Sequence, residues 1–301
     1  MATPCYYLNV TIRAYDAEVF LNGAPIERAH RGFPRFAQLP VSEWLVQGEN
    51  RLSVTILGAD HLPQPEPPRE GDEASEADGE GVALAPVAPP PAAAAAAASE
   101  DEPLLRVALC VGDLGELVEP GQDRELLVLE WTPPPPPAED EPPFLLPHEV
   151  EEHIALSHPW GSWSWEAAPV LDLLEDPAIV LEASDFVAEL HAAMVAGRLD
   201  AVIDRSAPKF DEVAPCYDFD PADARGRLPL AWPEISASPD FRLADFDPSD
   251  LELRPCCGGR VLEPRTLAGE PVIRQAVPID DSLWAMPLFL ARVDGRLTVV
   301  R

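Results

Sequence analysis

The chain has 301 residues, enough for two domains of ordinary size, and a formal net charge of −32. So acidic a chain repels phosphate backbones and anionic membrane surfaces at long range, which argues against nucleic-acid and membrane partners and leaves solubility or a basic protein partner as the use of the charge. Five cysteines without any C-x-x-C spacing fit a reducing compartment better than a disulfide framework, and Lys209 is the sole lysine against twenty arginines, a bias expected of GC-rich bacterial coding.

Near Met1 no basic stretch precedes an uninterrupted apolar run, so export is not expected and the cytoplasm is the expected location. Tyr6 to Tyr15 alternates like a strand, with Tyr6, Leu8, Val10 and Ile12 on one side. Glu18–Leu21 and Ala24–Glu27 follow as a hairpin, because Asn22-Gly23 supplies the two positive-φ residues of a tight turn. Phe36–Val41 and Arg51–Leu57 are further strands. From Gly58 to Glu102 the composition breaks: eleven acids stand against one arginine, and Ala92–Ala98 is a run of seven alanines. Such a segment cannot bury enough apolar surface to offset its ordering entropy and is expected to be disordered. Its prolines at Pro86 and Pro89–Pro91 disqualify Val82–Ala98 as a membrane span. Strands return at Leu104–Val111 and Glu125–Trp131.

The phrase from Val19-Phe20-Leu21-Asn22-Gly23 to Leu45-Val46-Gln47-Gly48-Glu49-Asn50-Arg51-Leu52-Ser53-Val54 resembles the jelly-roll sandwiches related to galactose-binding domains, over about forty residues. Residues 1–131 are therefore expected to form an all-β sandwich carrying the disordered acidic insertion at 58–102. Residues 132–143, with five consecutive prolines at Pro133–Pro137, are expected to be a stiff linker, and 144–301 a second, α+β domain.

The second domain is organised around Asp176–Gly197. Asp176 suits the cap and Pro177 the first helical position; Ala183, Phe186, Val187, Leu190 and Met194 then recur at helical steps, and Gly197 ends the run. Asp200–Arg205 and Pro208–Cys216 read as short helices, and Tyr217–Pro239 as a Pro/Asp-rich irregular stretch. Strands are expected near Leu251–Arg254, Arg260–Glu263, Val272–Val277 and Leu283–Val293, with Asp294-Gly295 turning the last hairpin into Arg296–Arg301. This order, the closing Asp294-Gly295-Arg296-Leu297-Thr298-Val299-Val300 and the phrase Ala193-Met194-Val195-Ala196-Gly197-Arg198-Leu199-Asp200-Ala201-Val202 resemble the nuclear-transport-factor-2-like α+β cone, in which helices pack on a curved antiparallel sheet. The resemblance implies a fold shared by isomerases, dehydratases, transport adaptors and interaction domains, and so does not fix an activity.

His148, His153 and His158 lie among glutamates, but on a helix steps of five point their rings in three directions, and no zinc-type spacing occurs. Asp218–Asp223 and Asp245–Asp250 repeat D-F-D-P-x-D without the glycine and glutamate of a calcium loop, so Asp220 and Asp247 are expected to cap turns. Trp160, Trp163 and Trp165 form W-x-x-W-x-W: exposed, they would clasp a partner; buried, they would be the seam between spacer and helix core. His191, on the long helix, is the one candidate base for a cone enzyme. No nucleophile elbow, Cys–His arrangement or phosphate loop is found, and no metal or cofactor is implied. The expected function is that of a non-enzymatic cytoplasmic binding protein, an adaptor, chaperone or toxin-neutralising partner, acting through protein contacts made by Trp160, Trp163, Trp165 and the acidic surface. The alternative is a small-molecule-binding protein or a lyase or isomerase using the cone around His191.

Overall fold

The computed structural model describes residues 4–59, 104–119, 124–134, 144–279 and 283–301. The acidic insertion expected at 58–102 lies outside the described residues apart from Gly58 and Ala59, as do the last three residues of the proline run.

The N-terminal half supplies β1 (Cys5–Arg13), β2 (Tyr15–Leu21), β3 (Ala24–Ala29), β4 (Arg35–Pro40), β5 (Gly48–Ala59), β6 (Leu104–Gly112), β7 (Glu125–Trp131) and β8 (His148–Leu156). They form two antiparallel four-stranded sheets, ordered β4-β1-β6-β7 and β3-β2-β5-β8. Period-two alternation turns Leu8, Val10 and Ile12 of β1 and Leu105, Val107 and Leu109 of β6 toward Ala17, Val19 and Leu21 of β2 and Leu52, Val54 and Ile56 of β5, in one buried core. Asn22 and Gly23, at φ 54° and 78°, make the expected turn between β2 and β3.

β8 departs from the expected boundaries. It lies beyond the proline run, in the stretch assigned to the second domain, yet it pairs with β5 from Ile56 opposite His148 to Gly48 opposite Leu156. Its polar, half-exposed sequence reflects its place at a sheet edge, where only one side of the backbone finds a partner.

Among the described residues the four α-helices all fall in the C-terminal half: α1 (Ala178–Val195), α2 (Leu199–Arg205), α3 (Ala207–Val213) and α4 (Pro221–Ile235). The Asp176 carboxylate accepts the Ala178 N–H at 3.2 Å, and the expected stripe of Ala183, Phe186, Val187, Leu190 and Met194 is buried. Gly197 takes φ 66°, letting its own N–H reach the Met194 carbonyl at 3.0 Å and the Arg198 N–H reach that of Ala193 at 2.8 Å, the paired bonds of a glycine C-cap. α4 corrects the irregular stretch expected there. Asp220 caps it, accepting the Ala222 N–H at 2.7 Å, and Pro221 opens it; Pro229 and Pro233 are tolerated inside because burial of Trp232 against Phe241 and Trp284 holds the segment in place.

The remaining strands are β9 (Leu251–Cys256), β10 (Val261–Thr266), β11 (Ile273–Arg274), β12 (Ala285–Met286), β13 (Leu290–Val293) and β14 (Arg296–Val299). They give an antiparallel sheet ordered β14-β13-β10-β9 and a separate β11-β12 pair. The four-stranded sheet is covered on both faces. Leu262, Leu290, Leu297 and Val299 join the helical core, whereas their neighbours Val261 and Ala291, with Cys256, join the core of the sandwich. The described residues form a mixed β and α+β architecture of four antiparallel sheets and four α-helices.

Polar contacts reinforce this junction. Glu18 of β2 is almost wholly buried and accepts from Arg28 Nε at 2.8 Å and from Arg254 Nη1 and Nη2 of β9 at 3.1 and 2.5 Å. Burial pushes its carboxyl group up, but the bonds and charge of Arg254 and then Arg28 outweigh this and leave it below the ordinary range. The Cys257 N–H donates to the Gly23 carbonyl at 3.2 Å, seating the β9–β10 turn on the β2–β3 turn.

Candidate functional site

The three tryptophans line the seam between the sandwich and the C-terminal half, not an open surface. Trp163 and Trp165 are 3 % and 4 % exposed, and the Trp163 indole N–H donates to the Leu45 carbonyl at 2.5 Å. Trp160 is half-buried, edge-on to Tyr6 at 5.8 Å and beside His158 at 5.0 Å. The clasp that exposed indoles would provide is therefore not formed; rings of this size are drawn into the junction where two layers exclude water.

The seam gathers charged groups that lie far apart in the chain. The Arg301 guanidinium stands 4.7 Å from the Trp163 ring centre and 5.7 Å from that of Trp44; its Nε donates to the Glu43 carbonyl and its Nη1 to Glu212 Oε2, each at 3.1 Å. Glu43 sits in the single turn Ser42–Trp44 that leads into β5, and its Oε2 accepts the Tyr217 hydroxyl from the turn after α3. Burial raises the Glu43 carboxyl above its ordinary range against the opposing bond from Tyr217. Burial, then the charge of Glu43, raises Tyr217, and burial raises the neighbouring Cys216 thiol to about 12. Lys209, on α3, is lowered by burial despite the pull of Glu43. Sequence reasoning did not anticipate this group. Its one visible signal was the singularity of Lys209.

The second feature is an open cleft of about 900 Å³ between α1, the α2–α3 junction and the β13–β14 hairpin. Glu182, Asp185, Glu189, Asp204 and Asp294 line it against only Arg205 and Arg296, over apolar ground from Phe186, Val293 and Leu297. Glu182 is held by Arg292 and Glu189 by Arg205, so among the described residues Asp185, Asp204 and Asp294 are left without an ion pair. The Asp294-Gly295 turn that presents this wall has φ of 49° and 76°, as the sequence required.

His191 lies apart from both features. Its Nε2 is 2.7 Å from the Ala244 carbonyl and its ring is 6.3 Å from Phe246. Of the three histidines considered for a metal, His148 and His153 belong to β8 and not to a helix. His148 packs on Phe144 at 4.7 Å, His153 lies 3.4 Å from Glu49, and His158 is buried beside Gln47 with its basicity lowered by that burial. No cluster among the described residues has the composition of a metal site. Asp220 and Asp247 cap their turns as expected, Asp247 accepting the Ser249 N–H at 2.8 Å.

Compared with known protein families, with curated proteins and with solved structures, the chain matches none of them.

Proposed function

We propose that the protein is a non-enzymatic binding protein, an adaptor, chaperone or toxin-neutralising partner, that holds a basic protein segment in the acidic cleft. The observation that carries this reading is the imbalance of the cleft wall, five carboxylates against two guanidinium groups. Carboxylates at the rim steer a cationic segment, and the half-buried Pro208 and Val293 give its apolar residues ground to rest on. The net charge of −32 acts in the same direction over longer range. The reading takes the partner to be protein, not nucleic acid or membrane, in the cytoplasm; no helix among the described residues is long and apolar enough to cross a membrane. It also takes the sandwich as jelly-roll-like and the C-terminal half as a cone, supported by the two four-stranded sheets of the first and by α1 lying on an antiparallel sheet in the second. The adaptor is preferred to a cone enzyme because the imidazole of His191 is tied to a backbone carbonyl.

A labelled peptide of alternating arginine and leucine, about ten residues long, tests the reading by fluorescence anisotropy. Binding should weaken steeply as the Debye length falls from about 8 Å at physiological salt to about 3 Å at 1 M. The Asp185→Asn, Asp204→Asn, Asp294→Asn triple variant should keep its circular dichroism and bind at least ten-fold more weakly. Equal binding by the folded triple variant would overturn the assignment to this cleft.

A further inference from the structure

The acidic cleft is bordered by a sheet edge. β14 ends the β14-β13-β10-β9 sheet, and its Arg296, Leu297 and Thr298 lie along the cleft. A two-residue turn such as Asp294-Gly295 is closed by a hydrogen-bonded pair, here Val293 and Arg296, and the Val300 N–H donates to the Phe289 carbonyl at 2.8 Å in the same register. Backbone groups alternate along a strand, so Arg296, Thr298 and Val300 turn theirs toward β13, and Leu297 turns its N–H and C=O outward. Among the described residues no backbone group bonds to Leu297 on that side. Its side chain is buried in the helical core, so it is the main chain of Leu297 that borders the cleft. The other edges of the four-stranded sheets are guarded: β3, β4 and β9 carry Pro25, Pro40 and Pro255, β8 carries Glu149, Glu151 and Glu152, and β7 lies against β8. β14 has neither proline nor acid.

We propose, resting on the reading of the cleft as a seat for a basic protein segment, that the segment docks as an extended strand whose backbone pairs with β14 and lengthens its sheet. Alternate side chains of such a strand share the face of Leu297, on the side of α1 and α2, where Asp185 and Asp204 stand without an ion pair among the described residues. The intervening side chains fall on the other face, beside Arg296 and its cross-strand neighbour Val293. The partner segment therefore carries a basic residue at every second position, with apolar or neutral residues between. Main-chain bonds to Leu297 give it a fixed direction and register, and the carboxylates select its charge.

The probes are the labelled arginine–leucine peptide and two relatives, one N-methylated at its arginines and one at its leucines, each titrated into the full chain by fluorescence anisotropy. Residues directly opposite in an antiparallel pair exchange both bonds, so arginines facing Asp185 and Asp204 are then the ones bonded to Leu297; in a parallel pairing the leucines are. One methylated peptide should therefore bind roughly ten-fold or more weakly than the parent, and the other within about two-fold of it. Amide exchange read by NMR should show the Leu297 N–H slowed roughly ten-fold or more by the unmodified peptide, with Thr298, already bonded to β13, changed far less. Loss with both methylated peptides would mark a helical ligand, and loss with neither a ligand held by side chains alone. Either result, or a Leu297 N–H that exchanges as fast with the peptide as without it, overturns the strand mode and leaves the cleft assignment standing. Failure of the unmodified peptide to bind, or its equal binding to the folded Asp185→Asn, Asp204→Asn, Asp294→Asn variant, overturns the cleft assignment and the strand mode with it.

Discussion

Removing the Glu18 carboxylate should loosen the junction of the two halves. Glu18→Ala takes the carboxylate from Arg28 and Arg254, whose side chains are 37 % and 26 % exposed, while Arg265, 4.0 Å from Glu18, keeps its bonds to the Gly269 carbonyl and its place beside Glu263. Breaking a fully buried pair from one side costs about 3–5 kcal/mol. Arg28 and Arg254 can recover part of their hydration, which brings the expected loss to about 1–3 kcal/mol. Urea unfolding at pH 7 measures it, and the transition should stay single because the cores are shared. The pH dependence follows from the lowered carboxyl group: its stabilisation is complete above the unfolded value of about 4.3 and is lost as pH falls through the lower folded value. The stability gap between the parent and a Glu18→Gln variant should therefore be flat near neutrality and close below about pH 4. Nearby Glu263, raised by burial and in part by the charge of Glu18, titrates in the opposite sense and falls back toward its ordinary range in the Gln variant. A Glu18→Ala variant within about 0.5 kcal/mol of the parent would refute the claim that this network holds the halves together.

Phe186→Ala should cost about 3–5 kcal/mol by chemical denaturation, since the ring is 4 % exposed in the helical core, while Glu189→Ala, in an exposed pair with Arg205, should stay within about 0.5 kcal/mol; similar losses at both would mean the packing of α1 is misassigned. Gly23→Ala should cost at least about 1–2 kcal/mol and lower Tm by several degrees in calorimetry. There φ is 78° and a β-carbon would lie 3.2 Å from the Cys257 nitrogen, so an unchanged Tm would deny that the two turns are in contact.

What could be read from the sequence was what local chemistry decides. α1 was legible because cap, period and stop agree within twenty-odd residues, and the Asn22-Gly23 and Asp294-Gly295 turns because so few residues accept positive φ. α4 was hidden by Pro229 and Pro233, whose penalty is overridden by the tertiary burial of Trp232. β8 was hidden because an edge strand needs no apolar alternation, and its pairing with β5 is a long-range property. The tryptophans stood out, but their number does not say whether they face solvent. The seam group was illegible for the same reason that makes it specific: Tyr217 and Glu43 are 174 positions apart, and Arg254 and Glu18 are 236 apart. Only the folded layers bring them together.

The position of β8 bears on how the chain can be divided. A fragment stopped at residue 131, where composition suggests a natural cut, would leave β5, twelve residues long and the longest strand among the described residues, with a bare row of amide and carbonyl groups along one side. Such a fragment should self-associate by strand pairing, and a synthetic peptide spanning residues 144–157 should return it to a monomer by annealing to the vacant side.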